Sequence, residues 1–227
     1  MSVRVILFGA TGMVGEGVLH VCLHDPKVES VLVVSRSSVG VIHPKLTEVI
    51  RKDFLTWSDF EDRLKGYDAC FFCLGVSSIG MNEEEYTRTT YDLTMAVARI
   101  LARLNPAMTF CYVSGAGTDS SEHGRSMWAR VKGKTENDLS KLGFKASYAF
   151  RPGFIKPIDG LKRAYRVSRA LARIYPGMTL LLRKYVCTLE DLGRAMIFVA
   201  TEGDPRRILE CTDITELGTK EKIGGGS

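Results

Sequence analysis

Residues 3–15 read Val-Arg-Val-Ile-Leu-Phe-Gly-Ala-Thr-Gly-Met-Val-Gly, and this stretch decides the fold. Its first six residues form a mostly apolar run of the kind that is typical of a buried strand. Three glycines follow with the spacing Gly-x-x-Gly-x-x-Gly, and apolar residues then recur at helical intervals as far as Asp25. The stretch therefore predicts a strand, a tight glycine-rich turn and a helix.

The three glycines have different roles in this glycine turn, which we define as residues 9–15. Gly9 lets the chain leave the strand sharply, Gly12 leaves the backbone open to a pyrophosphate, and Gly15 lets the helix pack close to the strand. The first N–H groups of a helix lack partners within it and lie at the positive end of its dipole, so they attract phosphate. The residues of the turn that we expect to contact a dinucleotide are Gly9, Thr11, Gly12, Met13 and Val14.

The rest of the chain alternates between apolar runs and helical patterns. Further strands are predicted at residues 30–34, 46–50, 69–74, 108–113, 146–150 and 208–210. Helices are predicted at residues 57–64, 83–104, 126–142 and 188–200. This order predicts an α/β fold, namely a Rossmann-like doubly wound parallel sheet with helices on both faces. We expect a single NAD(P)-binding domain over residues 1–227, with a small lid segment at about 154–187 and a frayed tail at 220–227.

The composition argues against several classes of protein. The chain has 227 residues, a net charge of +5, 45% hydrophobic residues and no apolar run long enough to span a membrane. No signal-peptide pattern precedes the first strand, so we expect a cytoplasmic protein without a membrane partner. The basic residues between 162 and 173 lack a groove-reading motif, which favours a solvated face or a pocket for an anionic substrate over nucleic-acid binding.

The cysteines and histidines do not predict a redox or metal motif. Cys70 and Cys73 have the spacing of such a motif, but they fall in an apolar run whose alternation points the two thiols to opposite faces. His20 and His24 are four residues apart on the first helix, without a third ligand placed to join them. We therefore expect structural cysteines, a surface histidine pair and no metal.

The end of the second strand indicates which dinucleotide is bound. An acidic residue there binds the ribose 2′-hydroxyl of NAD, whereas an arginine accommodates the 2′-phosphate of NADP. Ser35 and Arg36 stand at that point, so we predict NADP(H); the alternative is that Arg36 is an exposed loop residue. Asp53, after the third strand, is a candidate acceptor for the adenine amino group or a simple turn residue. The fourth strand ends at Leu74 and Gly75, where we expect the backbone to pass close to the cofactor.

In their order and spacing these motifs resemble the short-chain dehydrogenase/reductases. The resemblance is to the atypical branch with NmrA-like and TIP30-like proteins and nucleoside-diphosphate-sugar epimerases, which are NAD-dependent epimerase/dehydratase-like. It covers about residues 3–200. Beyond the glycine turn it is carried by Ser35-Arg36, Asp53-Phe54, Cys73-Leu-Gly75, Tyr112-Val-Ser114-Gly, Lys132-Gly-Lys-Thr-Glu136, Arg151-Pro-Gly153 and Thr188-Leu-Glu-Asp191-Leu. It implies that Pro152 and Gly153 also line the cofactor.

The resemblance implies a catalytic set from which this chain departs at two positions. The family uses a serine after the fifth strand and a Tyr-x-x-x-Lys motif on the next helix, which correspond to Ser114 and Lys132. The tyrosine position holds Trp128, and the family's asparagine falls near Thr90. An indole N–H donates a hydrogen bond but does not ionise near neutral pH, so Trp128 cannot act as a general acid or base. Trp128 would instead stack on the nicotinamide or line the substrate pocket, while Lys132 holds the ribose.

The sequence supports two functional hypotheses. The first is an NADP(H)-dependent oxidoreductase or epimerase-like enzyme on a small carbonyl or sugar substrate, in which Ser114 polarises the carbonyl. A group other than tyrosine, or water, then supplies the proton; His123 and Tyr91 are candidates, with a surface loop and the core as their ordinary alternatives. The second is a non-catalytic NADP(H)-sensing regulator, which Trp128 favours. Both hypotheses allow a monomer or a homodimer.

Overall fold

The structure, a computed structural model, describes residues 2–54, 56–57, 60–158, 160–161 and 185–224. Its strands are β1 (Val3–Phe8), β2 (Val28–Ser35), β3 (Leu46–Ile50), β4 (Ala69–Phe72), β5 (Thr109–Val113), β6 (Ala146–Arg151), β7 (Phe154–Lys156), β8 (Val186–Thr188) and β9 (Ile208–Glu210). Its α-helices are α1 (Met13–His24), α2 (Glu83–Thr87), α3 (Leu93–Leu104), α4 (Met127–Leu139), α5 (Leu189–Thr201) and α6 (Cys211–Gly224). There are also a 3-10 helix and a π-helical segment, which cover Glu61–Leu64 and Arg88–Asp92.

Seven of the described strands form one parallel sheet in the order β3-β2-β1-β4-β5-β6-β9. β7 and β8 pair with each other in a separate parallel sheet. The strand order reverses beside β1, since β2 lies on one side of it and β4 on the other. A crevice opens at such a reversal, outside the carboxyl ends of the strands. The predicted Rossmann-like fold is confirmed, and it brings the end of β1 beside the end of β4.

Apolar side chains cover both faces of the sheet. Val5 belongs to a core that includes residues of α1, α5 and α6, whereas its neighbour Ile6 belongs to a second core with Leu101 of α3. Successive strand residues enter opposite cores because side chains alternate across a strand. Cys70 and Cys73 divide in the same way, one in each core, as their spacing predicted.

The helix predicted at residues 57–64 is reduced to the short 3-10 helix. Trp57 is instead buried against β1, with its ring centroid 6.0 Å from that of Phe8. Its indole nitrogen donates to the carbonyl oxygen of Phe54 at 2.7 Å. Residues 58–59 lie outside the described part of the chain. The apolar spacing that resembled a helix therefore reflects a tertiary contact.

The long helix predicted over residues 83–104 is present but contains the π-helical segment between α2 and α3. Its start is fixed by a capping box, in which the Asn82 side chain accepts the N–H of Glu85 at 2.9 Å. Single π turns inside α-helices are often found at functional sites. This one lies against α4, which carries the predicted lysine.

The prediction of a frayed tail is wrong for residues 220–224, because these residues continue α6. Glu221 is buried there, and its carboxylate lies 2.8 Å from the ammonium of Lys27. Residues 225–227 lie outside the described part, as do residue 159 and residues 162–184 of the predicted lid with their basic stretch. Among the residues that the structure describes, none of the helices is both long and apolar enough to cross a membrane.

Candidate dinucleotide and catalytic site

The glycine turn is closed at two of its glycines and open at the third. Gly9 has a φ of +85°, and a Cβ there would lie 2.6 Å from the carbonyl carbon of Cys73. A Cβ at Gly15 would lie 2.1 Å from the carbonyl oxygen of Gly9, far inside van der Waals contact. At Gly12 the nearest atom to a Cβ would be the same oxygen, at 3.4 Å, an ordinary contact. Gly12 therefore has free space above it, where a pyrophosphate fits.

Helix α1 begins at this turn without a side-chain cap. The N–H of Gly12 donates to the carbonyl oxygen of Gly9 at 2.9 Å, and that of Glu16 donates to the oxygen of Gly12 at 2.8 Å. Met13 and Val14 occupy the first turn, whose N–H groups find no carbonyl within the helix. The open face of Gly12 and these N–H groups together fit an anionic group.

Arg36 is exposed directly after β2, on the carboxyl edge of the sheet. Ser35 is buried, and its hydroxyl donates to the carbonyl oxygen of Ser37 at 2.7 Å. This hydroxyl therefore shapes the turn rather than pointing a free donor at a phosphate. Asp53 is exposed, and its carbonyl oxygen accepts from Nε of Arg51 at 2.7 Å. Of the predicted pair, Arg36 is therefore the residue whose side chain is exposed at this edge of the sheet.

Two further pairs of predicted cofactor residues follow β4 and β6. Gly75 is exposed, and a Cβ there would meet no atom within 4 Å, so open space borders the backbone after Leu74. The carbonyl oxygen of Pro152 accepts the N–H of Ala116 at 2.9 Å. Close packing requires glycine at Gly153, because a Cβ there would lie 2.4 Å from the carbonyl oxygen of Tyr185, directly before β8.

Ser114 and Lys132 come together after β5. The N–H of Ser114 donates to the carbonyl oxygen of Phe150 at 2.9 Å, and its hydroxyl donates to the same oxygen at 3.2 Å. The ammonium of Lys132 donates to the carbonyl oxygen of Ser114. Burial lowers the pKa of Lys132 to about 8, although the nearby carboxylate of Glu136 raises it in part. The contact holds this lysine, with its lowered pKa, against the end of the strand.

Trp128 lies one helical turn before Lys132 on α4. A Cβ on Gly117 would lie 3.5 Å from Cη2 of the indole, so the ring packs against the loop that follows Ser114. Gly115 and Gly117 both have positive φ angles, +142° and +86°, which a side chain at either position would disfavour. The loop and the indole form one wall beside Ser114.

The structure does not bring the candidate tyrosine substitutes to Ser114. Tyr91 donates its hydroxyl to the carboxylate of Asp138 at 2.8 Å, six residues beyond Lys132 on α4. His123 is exposed, and its N–H donates to the hydroxyl of Ser121 in its own loop. Both thus have other surroundings, and Lys132 is the titratable group held against the serine.

Thr90, the residue near the family's asparagine position, is buried in the π-helical segment. One helical turn before it lies Tyr86, which is also buried. Burial raises the pKa of Tyr86, so its phenol stays protonated at neutral pH. Both residues are therefore part of the protein interior.

A buried ion pair beside the site was missed in the sequence. Arg151, at the end of β6, bonds both carboxylate oxygens of Glu136, with Nε 3.1 Å from Oε1. It also donates to the hydroxyl of Ser120 at 2.5 Å. Glu136 lies one turn beyond Lys132 on α4, so the pair fixes the helix that carries the lysine. The spacing Lys-x-x-x-Glu was the available signal, but its arginine partner is distant in sequence.

Comparison with known proteins identifies relatives that align with most of this chain. No family model matches the chain. The protein named FMP52, mitochondrial, of Meyerozyma guilliermondii is 27% identical over 203 residues, which cover 88% of this chain and 86% of the relative. That of Emericella nidulans is 28% identical over 181 residues, 77% of this chain and 75% of the relative.

Solved structures share the fold at low sequence identity. The Bordetella bronchiseptica enzyme WbmF, in complex with NAD+, matches with a TM-score of 0.67 and 16% identity over 100% of this chain and 80% of its own. The ADP-L-glycero-D-manno-heptose-6-epimerase of Helicobacter pylori matches with a TM-score of 0.66 and 15% identity, over 100% and 83%. The chain thus shares its Rossmann-like fold with these two enzymes. The narrower resemblance to NmrA-like and TIP30-like proteins stays a prediction.

The relatives correct one expectation. A cytoplasmic location was expected because no secretory signal-peptide pattern precedes β1, but the relatives named FMP52 are designated mitochondrial. The cytoplasmic expectation is therefore wrong by this comparison. A secretory signal peptide directs export, so its absence has no bearing on import into an organelle.

Proposed function

We propose that this chain binds NADP(H) at the glycine turn and reduces a small carbonyl substrate reversibly, or epimerises a sugar through such a step. The observation that carries the proposal is the contact of Lys132 with Ser114. This contact lies at the end of β5, two strands along the sheet from β1 and its glycine turn, and on the same carboxyl edge. An open turn for a dinucleotide and a serine–lysine pair beside it are the parts that this chemistry needs.

The residues of the crevice fit the cofactor. The open face of Gly12 receives the pyrophosphate, Arg36 contacts the 2′-phosphate, and Lys132 contacts the nicotinamide ribose. When bound, NADP(H) supplies or accepts a hydride. The complex of WbmF with NAD+ supports a nicotinamide dinucleotide in this fold, and the arginine after β2 favours NADP over NAD.

Ser114 and Lys132 divide the work at the substrate oxygen. The Ser114 hydroxyl rotates from the carbonyl oxygen of Phe150 and donates to the substrate carbonyl, which becomes polarised. Trp128 has no ionisable proton for this reaction, so the Lys132 ammonium donates the proton to the developing alkoxide. A pKa of about 8 suits this role, because a general acid works best near the operating pH.

Arg36→Ala should weaken NADPH binding much more than NADH binding. We expect the Kd for NADPH to rise by about 10- to 100-fold, since a charged hydrogen-bonded contact contributes about 1.5–3 kcal/mol. The Kd for NADH should change little, because NADH has no 2′-phosphate. Fluorescence titration of both cofactors measures the two values, with Lys52→Ala as an exposed basic control. Equal losses for both cofactors would show that Arg36 does not read the phosphate.

The lowered pKa of Lys132 makes a prediction about stability. Between about pH 8 and the ordinary value of 10.5 the unfolded chain keeps this proton and the folded chain has lost it. The free energy of unfolding that this residue contributes therefore rises with pH across that window. Below pH 8 both states are protonated and the contribution is constant.

The contribution is measured by urea unfolding at about pH 7, 8, 9 and 10. It is the difference in the free energy of unfolding between wild type and Lys132→Met at each pH. The difference should shift in favour of wild type above pH 8. Lys134→Met is the matched control, because Asp138 raises the pKa of that lysine and no such rise is expected. A flat difference for Lys132→Met would contradict its role as the titrating group.

Turnover tests the proposal itself. NADPH consumption is followed with a panel of small aldehydes, ketones and nucleoside-diphosphate sugars; epimerisation is followed by product analysis, since it consumes no net cofactor. We expect a substrate-dependent rate that Ser114→Ala reduces by about 100-fold or more. If wild type and Trp128→Tyr both bind NADPH but turn over none of these substrates, the proposal that the protein is an enzyme is rejected.

Trp128 favours a second candidate, a non-catalytic NADP(H)-sensing regulator. The indole fills the position at which the family places its acid–base residue. This candidate predicts a different protease digestion pattern with NADPH and with NADP⁺, and no rate with any substrate. A substrate-dependent rate in wild type would exclude it.

A further inference from the structure

We infer that the substrate is a neutral, apolar carbonyl compound, namely an aliphatic or aryl aldehyde or ketone, rather than a nucleoside-diphosphate sugar. The inference rests on the proposed function, because it names the substrate class of the same site. It is carried by an apolar rim on both sides of Ser114, which we define as Val76, Ile79, Trp128 and Phe154.

Three stretches of chain lie side by side around Ser114 at the carboxyl edge of the sheet. The strands β4, β5 and β6 are neighbours in the sheet, and neighbouring strands are about 4.8 Å apart. The stretches that follow these three strands are residues 73–82, 114–118 and 152–155. The N–H of Ala116 donates to the carbonyl oxygen of Pro152 at 2.9 Å, which joins the second stretch to the third. Ser114 therefore lies between the other two stretches.

The stretch after β4 exposes two branched apolar side chains. Ile79 is 90% exposed, and Val76 is exposed as well. Ile79 lies in a turn that is closed by the N–H of Met81, which donates to the carbonyl oxygen of Ser78 at 3.1 Å. Single exposed apolar residues are common on protein surfaces, but a group of them beside a site indicates a surface for an apolar ligand.

The far end of this stretch is joined to the helix that carries Trp128. Glu83, the first residue of α2, forms an ion pair of 2.7 Å with Arg130 of α4. Arg130 lies two residues after Trp128, whose indole packs against Gly117 in the stretch that contains Ser114. The apolar stretch thus runs from the end of β4 to the start of α4, and the two charges where it meets the helix neutralise each other.

Phe154 supplies an aromatic side chain on the other side of Ser114. It follows Gly153 directly and is 44% exposed. Its neighbour Ile155 packs against the apolar core on one face of the sheet, so alternation along β7 directs Phe154 away from that core. Tyr185, whose carbonyl oxygen lies against Gly153, is exposed beside it. This side of Ser114 is therefore apolar and aromatic.

The charge of the three stretches favours a neutral ligand. Residues 73–82, 114–118 and 152–155 contain no arginine, lysine, aspartate or glutamate. The ammonium beside them is that of Lys132, which donates to the carbonyl oxygen of Ser114. A nucleoside diphosphate carries at least two negative charges, and burying them without cationic or N–H partners is costly. An apolar carbonyl compound instead gains affinity by covering the rim, about fourfold for each buried methylene.

Substrate series test the inference with the native full chain and NADPH. We expect kcat/KM to rise about fourfold with each added methylene from butanal to hexanal. Benzaldehyde should exceed para-carboxybenzaldehyde, which has the same ring and one added charge, by about tenfold or more. Faster turnover of the carboxylate, or epimerisation of a nucleoside-diphosphate sugar, would overturn the inference while leaving the proposed enzyme intact.

Variants of the rim test which residues contact the substrate. Ile79→Asp and Phe154→Asp should each lower kcat/KM for hexanal by about tenfold or more, with NADPH binding measured in parallel to show that the protein is folded. Ile42→Asp is the matched control, because Ile42 is fully exposed in the segment between β2 and β3. If all three variants turn over hexanal at the wild-type rate, the rim does not contact the substrate.

A neutral fluorescent probe, N-phenylnaphthylamine, separates this inference from the proposed function, because its binding needs no turnover. We expect its emission to rise with wild type and with Ile42→Asp, and to rise much less with Ile79→Asp and Phe154→Asp. That result without turnover of any carbonyl compound would reject the enzyme but support a neutral apolar ligand at the rim. No rise with wild type, or an equal rise with every variant, would overturn the inference.

Discussion

Gly15→Ala is expected to lower the free energy of unfolding by about 3 kcal/mol or more and to abolish dinucleotide binding. The new Cβ would lie 2.1 Å from the carbonyl oxygen and 2.5 Å from the carbonyl carbon of Gly9. Both are backbone atoms of the glycine turn, so no side chain can rotate away to relieve the contact. Helix α1 must move away from β1, which opens the core between them and disperses the N–H groups of the turn. Urea unfolding followed by circular dichroism measures the loss.

Gly12→Ala is the matched control, with the same added methyl group three residues earlier. Its Cβ would meet only the carbonyl oxygen of Gly9, at 3.4 Å, and its φ of −97° suits alanine. We expect a stability change within about 0.5 kcal/mol but an increase of about tenfold or more in the Kd for NADPH. If Gly15→Ala were as stable as Gly12→Ala, the tight packing of α1 on the turn would be refuted.

Arg151→Ala should cost about 3–5 kcal/mol of the free energy of unfolding, because it leaves the carboxylate of Glu136 buried without its partner. The side chains of this pair are only 10% and 4% exposed, so water cannot replace the guanidinium without rearrangement. Arg88→Ala is the matched control, since its pair with Glu84 is exposed and 3.6 Å long. Removing it should cost at most about 1 kcal/mol.

The double variant Arg151→Met with Glu136→Leu tests whether the loss of stability comes from the unpaired buried charge rather than from replacing either side chain. Removing both charges should restore most of the loss, because no unpaired charge remains buried. The double variant should also shift the pH window of Lys132 downward, since Glu136 raises the pKa of that lysine. A double variant that is as unstable as Arg151→Ala, with Lys132 titrating as before, would mean that the ion pair neither holds α4 nor affects the lysine.

The elements and their order could be predicted because most of their signals are local. The apolar runs and the glycine turn are consecutive in sequence, and steric limits make their geometry almost obligatory. The failures are at residues where distant contacts decide the conformation. Trp57 packs against Phe8 instead of extending a helix, and Glu221 pairs with Lys27 so that α6 continues where fraying was expected. Neither partner is near in sequence, so no local pattern shows it.

The candidate site was only partly predictable for the same reason. The resemblance indicated Ser114 and Lys132 by their positions in two motifs, and the structure places them in contact. Which residue would replace the missing tyrosine depended on how the π-helical segment faces α4, and the Tyr91 hydroxyl of that segment donates to Asp138 instead. The partner of Glu136 lies on another strand, and the sequence offered no way to choose Arg151.

The central claim is that the glycine turn binds NADP(H), and calorimetric titration of the folded wild-type chain tests it most directly. We predict one NADPH per chain with a Kd of about 1–10 μM, and weaker binding of NADH. Binding of NADPH that Gly12→Ala weakens by about tenfold or more in a folded protein would locate it at the turn. A folded wild-type chain that takes up neither NADPH nor NADH at about 1 mM would contradict the account.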